Sequence, residues 1–103
     1  RAAMHVLEAP DFGPAGESIT VRLGIRNIGS LTWKREGRDT VRVGYHWRDN
    51  KGKLVYAPDF RTALPHDAPP GDWLEVDVAV GLPSLPGAFI LTLDMVHEGV
   101  TWF

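Results

Sequence analysis

The sequence predicts an all-β protein, an antiparallel β-sandwich of about seven short strands. Apolar and polar side chains alternate with a period of two in several segments, which is the pattern of strands with one buried face. Turn-forming residues interrupt these segments about every 8–12 residues, and no window shows helical periodicity. The same observations leave a small β-barrel open as the alternative architecture.

The clearest predicted strands are three alternating segments, 18–27, 40–47 and 73–80. Each has branched aliphatic or aromatic side chains on one face, while its other face carries mainly charged side chains or glycine. The first face is therefore predicted to pack in the core. The residues predicted to face inward are Ile19, Val21, Leu23 and Ile25; Val41, Val43, Tyr45 and Trp47; and Leu74, Val76, Val78 and Val80.

Other segments complete the predicted strand set. Segment 88–96 is mostly apolar on both faces, as expected of a central strand that is covered on both sides. Shorter strands are predicted in 2–9, which would be an edge strand, and in 53–57 and 60–64. Segment 99–103 begins a last strand.

The bulk composition is that of one globular domain spanning residues 1–103. Hydrophobic residues are 44% of the chain and charged residues 23%, which disfavours disorder. The net charge of -2 and the lack of a basic stripe indicate no nucleic-acid partner. No apolar run approaches the roughly 20 residues of a membrane-spanning helix, and the absence of cysteine excludes disulfides and thiolate chemistry. Since the chain begins at Arg1 without Met, we expect a fragment of a larger protein.

Four stretches in order carry a family resemblance. They are "NIGSLTW", "VRVGYHWRDNKGKLV", "RTALPHDAPPGD" and "LPSLPGAFILTLDMVHEGVTWF". Together they resemble the immunoglobulin-like domain of bacterial surface-polysaccharide proteins, where it is typically appended to glycosyltransferases and related sugar-handling enzymes. The chain is more loosely similar to the four-tryptophan domain of autophagy cargo receptors. The resemblance runs from about Gly16 to Phe103.

The bacterial resemblance implies an immunoglobulin-like sandwich that acts as a non-catalytic accessory module, binding glycan or positioning its parent enzyme. In those relatives the chain usually continues past the Trp-Phe pair, so the resemblance also implies that the last strand is truncated at Phe103. An open edge of that kind would allow an edge-strand dimer. The autophagy-receptor likeness implies instead a protein–protein or interdomain interaction module, which we keep as the alternative.

Tryptophan side chains are candidate platforms for a sugar, because indole rings pack well on the C–H face of a pyranose. Trp73 has the parity of Glu75 and Asp77, so we expect it to be partly exposed. Trp102 lies in the last strand, where either an inward or an outward orientation is open. Trp33 is also a candidate, although the favoured interpretation folds it over the open end of the core.

The turn before Trp33 has a predicted structure of its own. Asn27 ends a strand, and its side chain is expected to bond to neighbouring main chain. Gly29 is expected to adopt a positive φ there. The two residues together predict a strand-terminating turn.

The outward face of segment 40–47, extended to Arg48, is the candidate binding surface. Arg42, His46 and Arg48 project from it, and Gly44 leaves the sheet locally bare between them. Planar polar side chains beside an aromatic ring suit an acidic or neutral saccharide, and equally a peptide or another domain. A plainly solvated sheet face is an alternative of at least equal weight.

The chain end "DMVHEGVTWF" gathers Asp94, His97 and Glu98 near a predicted corner. The four histidines occur singly, and no motif supplies the three or four ligands of a zinc site, so we expect no metal and no cofactor. Asp94 and Glu98 are a formal acid pair for glycoside cleavage, but a chain this short offers little cleft. We favour a structural role in which Asp94 accepts bonds from loop main chain or Arg61, and Glu98 faces solvent beside a turn at Gly99. No catalytic residue is therefore predicted.

Overall fold

The computed structural model of the chain describes residues 1–38, 40–58, 60–98, 101 and 102. This part of the chain holds eight strands and no helix, which confirms the all-β prediction. The predicted turn at Gly99 and the last residue, Phe103, lie outside the described residues. The strands are β1 (Ala2–Glu8), β2 (Ser18–Asn27), β3 (Val41–Asp49), β4 (Leu54–Tyr56), β5 (Thr62–Ala63), β6 (Trp73–Gly81), β7 (Phe89–His97) and β8 (Thr101–Trp102).

The described strands form two separate antiparallel sheets rather than one closed barrel. The first sheet has the order β1-β2-β6, and the second has the order β4-β3-β7-β8, with β5 also paired to β3. The two longest pairings are β2 with β6 and β3 with β7, each of nine residue pairs. Long, regular pairing of this kind fixes which side chains face the core, because a slip of one residue would turn every side chain over.

The core lies between the two sheets and uses the faces predicted from the alternation. Of the residues predicted to face inward, all are buried except Ile19, which is half-buried and packs against the core. Met95 of β7, together with Trp33, Leu64 and Ala68 from the connecting segments, completes the buried set. Tyr45 and Trp47 are both core residues, as their shared parity with Val43 predicts.

The prediction that β7 is covered on both sides is only partly right. Val96 is buried on the outward side, whereas Ile90 on the same side is 54% exposed. The reason is local, because Trp102 lies opposite Val96 in the β7–β8 pairing and no described strand extends that pairing to Ile90. The outward side of the second sheet is therefore open at one end.

Asn27 organises the loop that carries Trp33. Its side-chain amide donates to the carbonyls of Leu31 and Ala68, each at 2.8 Å, and its Oδ1 accepts from the N–H of Gly29 at 3.0 Å. The predicted main-chain bonding of Asn27 is confirmed. The predicted positive φ of Gly29 is wrong. Glycine fits there for another reason, since a β-carbon would lie 3.1 Å from the main-chain nitrogen of Arg1.

Candidate functional site

The side chains outside the core occupy the outward sides of the two sheets. We call the outward side of the first sheet the first face and that of the second sheet the second face. Each face has a glycine in a long central strand, Gly24 in β2 and Gly44 in β3, and a tryptophan lies against each glycine. A glycine in a strand often marks such a close approach by another group.

On the first face, Trp73 lies against Gly24. A β-carbon on Gly24 would be 2.3 Å from Cη2 of the indole, far inside van der Waals contact. The guanidinium carbon of Arg26 is 5.7 Å from the ring centroid, within the range of cation–π attraction, and the His5 ring centroid is 6.4 Å away. The indole remains 38% exposed, so the predicted partial exposure of Trp73 is confirmed.

A row of paired charges continues the first face beyond Trp73. Arg22 donates from Nε and Nη2 to Oε1 of Glu75, at 3.0 and 2.8 Å, and its Nη1 is 3.9 Å from the Asp77 carboxylate. The hydrogen bond with Arg22, followed by its positive charge, lowers the pKa of Glu75. The same hydrogen bond and the two acidic neighbours raise the pKa of Arg22. The positive charge of Arg22 is thus offset by two acidic neighbours.

The row ends in a shallow concavity of about 470 Å³. Polar groups in its wall come from Glu8, Thr20, Arg22 and Asp77, with Ala9 and Pro10 beside them. The bulge in the β1–β2 pairing, between Val6 and Glu8, brings the end of β1 to this wall. An exposed indole and a polar hollow therefore share one sheet face.

On the second face, Trp102 lies against Gly44 in a similar way. A β-carbon on Gly44 would be 2.8 Å from Cη2 of the indole and 3.0 Å from Cγ2 of Val96. The guanidinium carbon of Arg61 is 4.8 Å from the ring centroid, and the His46 ring centroid is 5.9 Å away. Trp102 is also 38% exposed. Its side chain therefore faces outward, which settles the two orientations that the sequence left open.

Arg42, His46 and Arg48 line the second face along β3. Arg42 is opposite Val96, which is itself opposite Trp102, so these three side chains form one row across the sheet. His46 lies opposite Thr92 and Arg48 opposite Ile90. Arg48 donates to the carbonyl of Gly52 at 3.1 Å, which directs its guanidinium toward the β3–β4 hairpin.

The acids of the second face are engaged locally. Oδ1 of Asp94 accepts from the N–H of Met95 at 2.8 Å, and burial raises the pKa of Asp94 despite this bond and the charge of His46. Arg61 Nε lies 3.2 Å from Oε1 of Glu98. The donor to Asp94 is therefore main chain of its own strand β7 and not of a loop, and Arg61 lies against Glu98 instead of Asp94. The expectation that Glu98 faces solvent is also wrong, because its carboxylate packs against Arg61 in a largely shielded pair.

The six predicted binding residues do not form one site. Arg42, His46, Arg48 and Trp102 share the second face, whereas Trp73 lies on the opposite side of the sandwich. Trp33 is 4% exposed, so it offers no ring face to a ligand. It is a core residue, which confirms the favoured interpretation. Alternation in sequence assigned the outward residues of each strand correctly but could not show which sheet each strand joined.

Sequence reasoning missed four residues that shape the two faces. They are His5, Gly24, Arg26 and Arg61. A usable signal existed for Gly24, because a glycine at an outward position of a long strand indicates close approach by another group. No comparable signal existed for Arg61, which reaches Trp102 only through the fold.

A further hollow of about 400 Å³ lies at one end of the sandwich, between the β1–β2 and β6–β7 loops. Its wall is mainly apolar and includes Phe12, Leu82, Leu85 and Phe89. Asp11 is the charged side chain among the described residues of this wall.

Other site types find no support in the described part of the chain. None of its residues form a group of three or more His, Asp and Glu side chains suited to hold a metal ion. Nor do those residues include a helix long and apolar enough to cross a membrane. Comparisons with protein-family models, with curated proteins and with solved structures find no match.

Proposed function

We propose that this chain is a non-catalytic saccharide-binding module whose site is the first face, from Trp73 to the concavity beside Asp77. One observation carries the proposal, a partly exposed indole fixed on Gly24 in line with a polar hollow. We further propose, on the resemblance, that the module is an accessory domain of a bacterial surface-polysaccharide protein such as a glycosyltransferase. There it would bind glycan or raise the effective concentration of the enzyme at its substrate.

The chemistry of the first face suits a sugar. An indole gives a large contact area at a low cost in conformational entropy, and the C–H face of a pyranose is complementary to it. Beside it, the carboxylates of Glu75 and Asp77 accept hydrogen bonds and Arg22 donates them, which matches the mixed donor and acceptor character of sugar hydroxyls. Because the positive charge of Arg22 is already offset by these acids, we assign a neutral saccharide to this face.

The length of the face suits an oligosaccharide rather than a single sugar. Trp73 and Asp77 are four residues apart in β6, which is about 14 Å along an extended strand. A ligand lying along β6 would therefore touch the indole at one end and the concavity at the other. The indole would provide contact area, and the polar row would provide orientation.

A binding role fits the acid–base character of this face better than hydrolysis does. A glycoside hydrolase needs one carboxyl group with a raised pKa to protonate the leaving oxygen. The carboxyl group of Glu75, beside Trp73, instead has a lowered pKa because Arg22 holds it ionised. This face therefore lacks the acid that such chemistry would need at Glu75.

The strand order supports the immunoglobulin-like part of the proposal. In immunoglobulin-type sandwiches the first, second and fifth main strands share one sheet, and the third, sixth and seventh share the other. If β4 and β5 are counted as additions beside the third strand, and the fourth place is left without a described strand, β1-β2-β6 matches the first of these sheets and β3-β7-β8 the second.

The test is a titration of the ¹⁵N-labelled chain with neutral hexasaccharides, namely maltohexaose, cellohexaose and chitohexaose. We expect saturable binding of at least one, with a shift of the Trp73 indole N–H signal. Trp73→Ala should weaken binding about tenfold, equivalent to about 1.4 kcal/mol. Asp77→Ala, which leaves the indole in place, should weaken it less.

Phe12→Ala is the matched control, because Phe12 is a strongly exposed aromatic residue that lies outside both faces. It should bind like the unmodified chain. Failure of all three hexasaccharides to bind would overturn the proposal. Binding that is unaffected by both Trp73→Ala and Asp77→Ala would overturn the assignment to the first face.

A second candidate function, a protein–protein or interdomain module, rests on β4. This strand pairs only with β3 among the described strands, and Leu54, Val55 and Tyr56 are all exposed. An exposed apolar edge is suited to pairing with a strand of another chain. If a second copy is the partner, sedimentation should show a dimer that Val55→Lys dissociates. A monomer at high concentration would exclude a second copy as the partner.

A further inference from the structure

We propose that the second face is a separate saccharide site that takes an acidic unit, such as a uronate, with Trp102 as its platform and Arg42 as its main charge partner. This inference rests on the proposed function for the class of ligand. It adds a second site on the opposite side of the sandwich, so that one domain would engage two glycan segments.

The first argument is that the two faces have the same construction. On each, an indole lies against a strand glycine, with Cη2 at 2.3 Å from the position of a β-carbon on the first face and at 2.8 Å on the second. A histidine ring flanks each indole, with centroids 6.4 and 5.9 Å away. An arginine also lies near each indole. Its guanidinium carbon is 5.7 Å from the ring centroid on the first face and 4.8 Å on the second.

Equal exposure strengthens the parallel. Trp73 and Trp102 are each 38% exposed. Only the edge of each indole lies against its glycine. The surface left open on both rings is therefore available to a ligand on either side of the molecule.

The second argument is that the charges around the two indoles differ. On the first face Arg22 is bound to Glu75 and lies near Asp77, so its positive charge is offset. On the second face Arg42 has no ion-pair partner among the described residues, and it lies in the same cross-strand row as Trp102.

The remaining charged groups around Trp102 do not offset Arg42. Arg61 is paired with Glu98, and Arg48 adds a further positive charge along β3. Asp94 is the other acid facing this side from β7, and its carboxylate is disfavoured by burial. Among the described residues, the three arginines of this face outnumber its two acids, which is complementary to a carboxylate-bearing sugar.

Arginine suits this ligand in particular. Its planar guanidinium binds a carboxylate through two parallel N–H···O bonds, which adds orientation as well as attraction. A uronate stacked on Trp102 would direct its carboxylate along the sheet toward the arginine row. A neutral sugar would leave the charge of Arg42 without a partner.

The two sites would act independently. Packed sheets are about 10 Å apart, and the two indoles project from opposite outward sides, so no single sugar unit can touch both. A polysaccharide with neutral and acidic units would then bind with an avidity above that of either site alone.

The experiment uses a galacturonate hexamer, its methyl-esterified neutral counterpart, and the neutral hexasaccharide that binds best at Trp73. Calorimetry gives affinity and stoichiometry, and the indole N–H signals identify the face. We expect the galacturonate hexamer to shift the Trp102 signal, and its affinity to fall as salt rises. The methyl ester should bind about tenfold more weakly.

The variants separate the two faces. Arg42→Gln, which leaves the indole and the core intact, should weaken the galacturonate hexamer about tenfold without affecting the neutral hexasaccharide. Trp102→Ala should do the same if it folds, while Trp73→Ala should leave galacturonate binding unchanged. Phe12→Ala again serves as the control.

The outcomes distinguish the two proposals. Neutral binding at Trp73 without galacturonate binding would overturn this inference and leave the proposed function standing. Galacturonate binding that Arg42→Gln weakens would support it even if no neutral sugar bound. Galacturonate binding lost on Trp73→Ala, or equal binding of acid and methyl ester, would overturn it.

Discussion

The main-chain N–H of Gly81 donates a hydrogen bond of 2.7 Å to the hydroxyl oxygen of Tyr45. The bond joins the end of β6, in the first sheet, to the middle of β3, in the second. Trp47, two residues further along β3, donates from its indole N–H to the carbonyl of Gly81 at 2.8 Å. Two core aromatics thus satisfy both main-chain groups of one residue in the facing sheet and set the distance between the sheets at that end.

Tyr45→Phe should destabilise the fold, because it leaves the shielded N–H of Gly81 without its acceptor while keeping the ring in the core. Leaving such a donor unsatisfied costs about 1–3 kcal/mol. The measurement is the free energy of unfolding in urea. Tyr56→Phe is the matched control, since Tyr56 also approaches Gly81 but is exposed, and it should change stability little. Equal effects of the two substitutions would contradict this account.

Gly24→Ala should destabilise the protein by about 1–3 kcal/mol through overpacking against Trp73. The clash involves only the indole edge, so the penalty should largely disappear in a Trp73→Ala background. A double-mutant cycle in urea measures this coupling directly. Thr20→Ala, on the same outward side of β2, is the control and should show no coupling to Trp73. A penalty of the same size in both backgrounds would mean that the clash is not with the indole.

Asn27→Ala should be among the more damaging substitutions, at about 2–4 kcal/mol. It removes a fully buried side chain that makes three hydrogen bonds to main chain, including one to the carbonyl of Ala68. Since Ala68 also exchanges main-chain bonds with Trp33, the loop over the core end should loosen. Urea unfolding and faster hydrogen exchange at Trp33 are the readouts. Ser30→Ala in the same loop, on an exposed residue, is the control, and a similarly small effect of both would refute the prediction.

Asp94 should give the protein a pH-dependent stability. Burial raises its pKa, so the folded protein binds this proton more tightly than the unfolded chain does. The stability it contributes is full below its ordinary pKa of about 3.9 and is lost as pH rises through the higher folded-state pKa. Asp94→Asn should therefore gain stability relative to the unmodified chain at pH 7, but not at pH 3.

Unfolding in urea at the two pH values measures the Asp94 prediction. Asp11→Asn, an exposed loop substitution, is the control and should not show the same change between pH 3 and pH 7. The stability difference between Asp94→Asn and the unmodified chain should grow with pH. A difference that is constant across this range would show that the carboxylate of Asp94 is not disfavoured in the fold.

Local pattern was sufficient for much of the fold. The alternation in β2, β3 and β6 identified the buried sides of all three strands, because side-chain direction in a strand has a period of two and depends only on position along it. Trp73 was correctly assigned to an outward side from parity alone. The pattern of apolar residues gave a wrong prediction for one side of β7. It gave β7 two covered sides, whereas Ile90 is exposed because no described strand extends the β7–β8 pairing to it.

The candidate sites were harder to predict from the sequence than the strands were. Arg42, His46 and Arg48 were grouped correctly because they share one strand and one parity. Trp73 and Trp102 were treated as members of the same candidate set, although they lie on opposite faces. The contact of each indole with its glycine joins residues far apart in sequence, and only the register between strands determines it.

The sequence by itself determined the strand segments, their buried sides and the identity of the core aromatics, because these properties follow from neighbouring residues in one chain segment. The tertiary structure alone decided the order β1-β2-β6 against β4-β3-β7-β8, the pairing of Arg61 with Glu98, and the location of each indole over a glycine. Those features depend on which distant strands meet and in which register. That choice reflects the free energy of the whole packed core rather than the preference of any one segment.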